Sequence, residues 1–248
     1  MKSRMRENRT SGSVRGSRQA FHKQIILKGV SRLSTRLISM DHRPERAVLP
    51  REFYMRDANT VARALLGKLL VHQSPEGLAA GMIVETEAYV GPEDDGAHSY
   101  GGRRTARTEI QFGPGGYAYV FGIYGMHNCF NAVCAGEDQP EVVLVRALEP
   151  VEGVELMEKR RGSHSLTALC SGPGKLCAAL GITKEQYGLD LCGDRLFITD
   201  YKTFSAEQVR TSARINIDYA EKCRDYPWRY FLADNPHVSK VPKRYRTE

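Results

Sequence analysis

The 248-residue sequence contains no apolar run long enough to cross a bilayer, which excludes a transmembrane helix. None of its six cysteines, at positions 129, 134, 170, 177, 192 and 223, forms a CxxC pair, the usual spacing of structural zinc ligands. A chain of this length buries a sufficient core without disulfides, so we expect a reduced cytosolic or nuclear protein with mostly buried thiols. HExxH and Walker A motifs are also absent from the sequence.

Positive charge is concentrated at the N terminus. Residues 1–46 carry 12 of the 36 Lys and Arg but only 3 of the 29 Asp and Glu, a net charge of +9, and the rest of the chain carries a net charge of −2. This segment has little apolar periodicity, so we expect a disordered basic tail, followed by a folded domain over residues 47–248. The tail is typical of a DNA-seeking arm or of an organelle transit peptide, and a true start at Met40 would remove most of it.

The rest of the chain alternates between strand-like and helix-like segments. Asp57 is expected to cap a short helix that ends at Gly67, and the segments after Pro150 and after Ser171, a second expected cap, are also predicted to be helical. Strands are predicted at "KLLVH", "GMIVETEAYV", "YAYVFGIYG", "HNCFNAVC", "EVVLVRAL", "RLFIT" and "RINIDYA". This order predicts an α+β fold, a single domain with a curved, mixed or antiparallel sheet and flanking helices.

The predicted strand "IVETEAYV" has two glutamates and a tyrosine at alternate positions. Alternate side chains of a strand share a face, so Glu85, Glu87 and Tyr89 are expected to point the same way as Ile83. Carboxylates are poorly suited to strand interiors, and a solvated outer face is one interpretation. The other is a cleft in which one glutamate acts as a general base and Tyr89 packs on a substrate ring.

An acidic turn with a histidine follows this strand. Asp94, Asp95 and His98, together with Glu87, could bind a metal ion, but their spacing matches no established ligand pattern. We favour His98 as a hydrogen-bonding residue of a pocket, and we expect neither a metal nor another cofactor. The loop that contains them, residues 91–116, is long and rich in Gly and Arg, and such loops within a domain are usually functional or disordered.

Aromatic residues cluster in the segment "YVFGIYGMHNCFN". It contains Tyr119, Phe121 and Tyr124 and ends at Asn131. Most aromatic residues of this kind belong to a core. Tyr124 differs, because it lies at a predicted corner between two strands, where a large ring is exposed unless it contacts a partner.

Basic residues lie at positions from which they could reach an anion. Arg146 ends an apolar strand, and Lys175 lies near a predicted helix start, which is a favourable place for a phosphate. The loop after the acidic turn adds Arg103, Arg104 and Arg107. Together with the carboxylates, the rings and Asn131, these residues fit an enzyme that acts on one flat base of a polyanion.

Several long motifs resemble those of one enzyme family. The segments "IVETEAYVGPEDDGAHSYGGRRTARTEIQF", "YVFGIYGMHNCFN", "LVRALEP" and "CSGPGKL" occur in the order found in the alkyladenine DNA glycosylases, also called 3-methyladenine DNA glycosylases of the mammalian type. The resemblance runs from about Leu49 to Phe231. It implies a monofunctional glycosylase of base excision repair, without lyase activity, that flips a damaged purine out of duplex DNA and hydrolyses its N-glycosidic bond.

The resemblance also implies roles for individual residues. Glu87 would be the general base that activates water, and Tyr124 would fill the gap left in the duplex. Phe121 stands where the family often has a stacking tyrosine, so the hydroxyl of that residue is absent here. The implied base pocket comprises Tyr89, His98, Phe121 and Asn131, of which Asn131 would crowd the 2-amino group of normal guanine. Contacts to the DNA backbone are expected from Arg146, Lys175, Arg103 and Arg104.

The expected substrates are alkylated or deaminated purines of the 3-methyladenine, 7-methylguanine, hypoxanthine and ethenoadenine class in double-stranded DNA. An alkylated purine such as 3-methyladenine already carries positive charge, so one carboxylate suffices where ordinary glycosidases need an acid and a base. Neutral hypoxanthine needs a proton donor other than Glu87. We expect a monomer, located in the cytoplasm or nucleoid of a bacterium or in the nucleus or an organelle of a eukaryote. The alternatives are a catalytically silent DNA-binding protein of this fold and a metal-dependent hydrolase.

Overall fold

A computed structural model describes residues 47–123 and 125–240 of the chain. The basic tail expected over residues 1–46 and the exposed ring expected at Tyr124 lie outside the described residues. Within them, none of the helices is long and apolar enough to cross a membrane.

The described residues form eight strands and five α-helices. The strands are β1 (Leu69–Ser74), β2 (Gly77–Val90), β3 (Ala118–Ile123), β4 (His127–Cys134), β5 (Glu141–Glu152), β6 (Leu196–Thr199), β7 (Val209–Ser212) and β8 (Arg229–Leu232). The helices are α1 (Arg51–Tyr54), α2 (Ala58–Leu65), α3 (Val154–Arg161), α4 (Leu166–Leu169) and α5 (Pro173–Leu180). Short 3₁₀ turns interrupt the long loop between β2 and β3.

All eight strands belong to one sheet, with the order β3-β4-β5-β2-β1-β6 and with β8 and β7 added beside the second half of β2. Every strand pairing is antiparallel. The α+β prediction is confirmed, and the sheet is antiparallel rather than mixed. Residues 77–82 of β2 pair with β1, whereas residues 85–87 pair with β8. Register shifts against β5 accompany this change of partner, and such bulges bend a strand, so the sheet curls around one face.

Local sequence signals explain several helix ends. Asp57 caps α2, because its side chain accepts a hydrogen bond from the backbone N–H of Thr60. Gly67 adopts a positive φ of 85° just after this helix, as a glycine can. The predicted cap at Ser171 is wrong, since Gly172 holds the N-cap position of α5. The helix predicted after Pro150 begins only at Val154, because residues 150–152 still belong to β5.

The hydrophobic core lies between the sheet and α2, α3 and α5. Val61 and Leu65 of α2 pack with Met157 of α3 and Leu176 of α5 in one buried cluster. The strands contribute alternate residues to the same cluster, namely Val120, Phe130, Ala132, Val143, Val145 and Ala88. The intervening residues of these strands face the other way, and they build the site described next.

Candidate active site

The face of the sheet turned away from the core carries a row of site residues. Tyr119 lies opposite Asn131 in the β3–β4 pair, Asn131 lies opposite Leu144, and Leu144 lies opposite Glu87. Directly paired residues share a face, so this register places the four side chains in line across four strands. Residues far apart in the chain thereby meet on one surface.

Two bulges bring Arg146 to the glutamates of β2. Ile83 pairs with Leu148, Glu85 with Ala147 and Thr86 with Val145, so neither Val84 nor Arg146 has a residue directly opposite. The extra residue on β2 lets Ile83 and Val84 both enter the hydrophobic core. The prediction that Ile83 shares the face of Glu85 and Glu87 is therefore wrong, because strict alternation fails at a bulge.

The carboxylate of Glu87 is fully buried and held by three donors. Its Oε2 accepts hydrogen bonds from the Tyr89 hydroxyl at 3.0 Å and from Nη1 of Arg146 at 3.2 Å. Its Oε1 accepts from the backbone N–H of Ile215 at 2.8 Å. A solvated outer face, the first interpretation of this strand, is ruled out.

Glu85 has a different environment from Glu87. Arg146 and Arg229 both donate to its Oε1, at 3.2 and 2.7 Å. The backbone N–H and the hydroxyl of Ser239 add two further hydrogen bonds, at 2.7 and 2.9 Å. Glu85 thus serves as a buried ion-pair residue.

A cavity of about 230 Å³ opens on this face of the sheet. Its walls include all four residues of the predicted base pocket, Tyr89, His98, Phe121 and Asn131, and also Arg146. The carboxylate of Glu87 lies directly behind them, because three of its contact residues, Tyr89, Arg146 and Ile215, line the cavity. Apolar and aromatic walls with a few placed polar groups are typical of small-ligand sites.

His98 is held by its neighbours in a neutral form. A guanidinium can only donate, so the 3.3 Å contact from Arg107 makes Nε2 of His98 an acceptor and leaves the ring proton on Nδ1. Nδ1 then donates to the Tyr119 hydroxyl at 2.8 Å. Burial, and after it the charges of Arg107 and Arg103, lower the pKa of His98 to about 4. The ring also packs edge-on against Phe121, with 4.6 Å between ring centres.

Two further wall residues are fixed by hydrogen bonds. Asn131 is 2% exposed, and its Nδ2 donates to the backbone carbonyl of Tyr119 at 3.0 Å. This leaves the side-chain oxygen of Asn131 for the cavity. Burial, and after it the charge of Glu87, raise the pKa of the Tyr89 phenol well above its ordinary value, so this hydroxyl stays a donor to Glu87.

Sequence reasoning missed the loop that closes the cavity. The segment "RINIDYA" was predicted as a strand, but residues 213–220 form an irregular loop. Its contribution to the cavity wall comprises Ile215, Asn216, Ile217 and Tyr219. The backbone at Asn216 has a positive φ of 63°, which asparagine tolerates better than most residues. The apolar residues of this loop alternate as in a strand, and nothing in its sequence indicated a contact with Glu87.

The basic residues expected to contact DNA lie in different parts of the structure. A second groove of about 450 Å³ is lined by Arg146, Lys175 and Lys240 and shares Arg146 with the first cavity. Arg146 itself is 7% exposed. Burial opposes its charge, but the carboxylates of Glu87 and Glu85 outweigh burial and raise its pKa. Arg103 is exposed at the protein surface.

Arg104 lies apart from the base cavity. Its guanidinium pairs with Glu109 at 2.7 Å and with Asp138 at 3.1 Å, and it covers the ring of Phe112. All three groups of this ion-pair network are at least half exposed. Arg104 can reach a phosphate only by exchanging these carboxylates for it.

The carboxylates of the acidic turn are engaged by protein donors. Asp94 accepts two hydrogen bonds from the guanidinium of Arg214, and Asp95 accepts from the backbone N–H groups of residues 221–223. Asp94, Asp95 and Cys223 lie within 4.8 Å of one another, whereas His98 turns to Tyr119 instead. The set considered as an alternative metal site, Glu87 with both aspartates and His98, is therefore not assembled among the described residues.

Relatives of this chain define its class. A protein of Desulfitobacterium hafniense (strain Y51) named "Putative 3-methyladenine DNA glycosylase" is 50% identical over 199 residues, which cover 77% of this chain and 98% of the relative. Relatives with the same name from Clostridium acetobutylicum and Bacillus cytotoxicus are 49% and 50% identical and are also covered to 98%. The chain is accordingly a DNA glycosylase, a hydrolase of base excision repair that acts on DNA.

The family follows from the match to a family model. The family described as "Methylpurine-DNA glycosylase (MPG)" matches residues 52–236, which include every described residue of the cavity wall. This chain belongs to the methylpurine-DNA glycosylase family. The resemblance noted from the sequence motifs is thereby confirmed.

Proposed function

We propose that this protein flips a damaged purine, of the class that includes 3-methyladenine, 7-methylguanine, hypoxanthine and ethenoadenine, out of duplex DNA and hydrolyses its N-glycosidic bond. The observation that carries the proposal is the buried carboxylate of Glu87 directly behind a cavity walled by Tyr89, His98, Phe121 and Asn131. No membrane-spanning helix occurs among the described residues. We expect the protein to act as a monomer bound to double-stranded DNA.

The aromatic walls give a reason for a flipped base to stay in the cavity. Flipping costs a few kcal/mol, and it costs least for a damaged or mispaired base. Stacking against aromatic side chains returns about 1–3 kcal/mol per base. Tyr124, outside the described residues, would keep the DNA stack filled by taking the place of the base.

Glu87 would activate the attacking water. The water oxygen forms a bond to C1′ of the deoxyribose as the C1′–N9 bond breaks, the electron pair of that bond goes to the purine, and Glu87 takes the proton. General-base catalysis of this kind contributes about 10²–10⁴-fold. Tyr89, Arg146 and the N–H of Ile215 fix the carboxylate for this step.

One carboxylate is enough for a cationic purine, because the leaving group is already charged. Neutral hypoxanthine needs a proton from another donor. His98 is a poor candidate for that donor, since its ring is neutral and its Nδ1 proton is directed to Tyr119. We therefore expect cationic bases to be released faster than neutral ones.

Selection among purines would depend on Asn131, which we expect to crowd the 2-amino group of normal guanine. Phe121 offers a stacking face without a hydroxyl, so it adds no hydrogen bond to this selection. For the DNA backbone we propose contacts from Arg146, Lys175, Arg103 and Arg104. The shared wall at Arg146 supports the contacts from Arg146 and Lys175, because the groove of Lys175 adjoins the cavity that would hold the base.

The test is a panel of lesions. The purified protein is incubated with duplexes that contain 3-methyladenine, 7-methylguanine or hypoxanthine at one position, and abasic sites are then cleaved with alkali. Strand breaks above the undamaged control are expected, most rapidly for the cationic bases. Lesion binding without base release would instead identify a catalytically silent DNA-binding protein, and an absence of both would overturn the proposal.

A further inference from the structure

A buried ion pair lies behind the Tyr89 wall of the cavity. Arg214 and Asp94 are both fully buried, and the guanidinium donates from Nη1 and Nη2 to the two carboxylate oxygens at 2.5 and 2.7 Å. The guanidinium also lies over the Tyr89 ring, 4.6 Å from its centre, and 5.0 Å from the ring centre of Trp228. Arg214 is not among the cavity-lining residues, so it covers Tyr89 from outside the cavity.

The pair ties together the two loops that flank the cavity. Asp94 belongs to the loop that carries His98, and Arg214 directly precedes Ile215, whose N–H binds Glu87. Asp94 also accepts from the backbone N–H of Gly96, where an added Cβ would lie 2.9 Å from Arg214. The ion pair between Asp94 and Arg214 therefore positions both the turn at Gly96 and the backbone next to Ile215.

We infer that Asp94 is a specificity-determining positioning residue, which neutralises Arg214 so that the Tyr89 wall accepts a positively charged base. This inference rests on the proposed function, because it assumes that a cationic purine stacks on the cavity side of Tyr89. Tyr89 is then placed between the base and the guanidinium. Without the carboxylate, the base would face an uncompensated positive charge through the ring.

The size of the effect follows from the geometry. A base stacked about 3.5 Å from the free face of Tyr89 lies about 8 Å from the guanidinium, because the guanidinium is 4.6 Å behind the ring centre. At an effective dielectric constant of about 20, two positive unit charges at this separation weaken binding by up to about thirtyfold. A neutral purine feels no such penalty, so the effect is selective.

The experiment compares cationic and neutral substrates in charge variants. Excision of 7-methylguanine and of hypoxanthine is measured under single-turnover conditions at mildly acid pH, where the methylated ring keeps its charge. Asp94→Asn should lower the ratio of the two rates by about tenfold or more. The double variant Asp94→Asn/Arg214→Gln, which removes both charges, should return the ratio to within about threefold of the unmodified protein.

A purely structural role would slow both substrates equally and leave the ratio unchanged, and this result in Asp94→Asn would overturn the inference. So would a ratio that stays low in the double variant. If Asp94→Asn does not fold, Arg214→Gln replaces it. There the ratio should rise, because an unpaired carboxylate remains behind Tyr89, and a constant or lower ratio would count against the inference.

The chain offers a matched control. Arg51 pairs with Asp190 at 2.6 Å and lies over the ring of Tyr117 at 4.5 Å, outside the cavity wall. Asp190→Asn should therefore leave the substrate ratio unchanged. An unmodified protein that excises neither base would contradict the proposed function itself, whereas an active protein with an unmoved ratio in Asp94→Asn contradicts this inference alone.

Discussion

Replacing Glu87 with glutamine is the most informative change to the site. The amide oxygen can keep the hydrogen bond from the N–H of Ile215 at the position of Oε1. The amide nitrogen then takes the position of Oε2, where it meets the Tyr89 hydroxyl and Nη1 of Arg146. Tyr89 can rotate its proton away and accept, but Arg146 loses an acceptor and is opposed by another donor.

The expected cost in stability is moderate. Arg146 keeps its hydrogen bond to Glu85 at 3.2 Å, so its charge is not left unpaired in the protein interior. Loss of one charged hydrogen bond predicts that the free energy of unfolding falls by about 1–3 kcal/mol. The loss of the general base predicts a fall in the rate of base release of about 10²–10⁴-fold.

The assay is single-turnover excision of 7-methylguanine and hypoxanthine with enzyme in excess, alongside lesion binding and urea unfolding. Glu87→Gln should bind lesion-containing duplex nearly as well as the unmodified protein while releasing base far more slowly. Glu85→Gln is the matched control, because Glu85 is the same residue type on the same strand and also pairs with Arg146. We expect this control to lose stability and to keep most of its excision rate.

Full activity in Glu87→Gln would refute its assignment as the base. A control that loses as much rate as Glu87→Gln at equal stability would show that the ion-pair network, rather than one carboxylate, supports the chemistry.

Three further outcomes are expected. Asn131→Ala should raise the release of unmodified guanine relative to hypoxanthine, which lacks the 2-amino group, by about tenfold, and an unchanged ratio would remove Asn131 from substrate selection. Burial, with the charges of Arg107 and Arg103, lowers the pKa of His98 to about 4 in the folded protein. Neutral His98 therefore stabilises the fold at pH values above the ordinary pKa of histidine. This contribution is lost as the pH falls from that ordinary pKa towards 4. His98→Gln should therefore lose less unfolding free energy than the unmodified protein between about pH 7 and pH 5 in urea titrations, and equal losses would contradict the lowered pKa. Deletion of residues 1–39 should leave excision intact and weaken DNA binding only at low salt, and loss of folding or excision would contradict this.

Local sequence signals predicted β1 to β6 and the shared face of Glu85, Glu87 and Tyr89, because the alternation of a strand is visible within a few residues, but they missed β7 and β8. The same rule placed Ile83 wrongly. The bulge at Val84 in β2 is compensated by a second bulge at Arg146 in β5. Both bulges depend on how β2 pairs with β5, which lies about 60 positions later in the chain. Sequence alternation alone does not encode it.

The distinction between the two glutamates came from the family motifs, and the structure adds its physical counterpart. Glu85 is occupied by Arg146, Arg229 and Ser239, whereas Glu87 has a donor in Ile215, 128 positions later in the chain. The loop around Ile215 could not be found by periodicity. Its apolar residues alternate like a strand, but they face a cavity formed by distant segments.

The central claim, that a damaged purine enters the cavity in front of Glu87, is tested most directly by a crystal structure of the Glu87→Gln variant bound to a duplex with one hypoxanthine. We predict that the purine is extruded from the helix and stacked on Tyr89, with Phe121 and His98 on its other side and C1′ of its sugar towards residue 87. A purine that stays paired in the duplex, or one bound in the groove of Lys175 with the cavity vacant, would contradict the account.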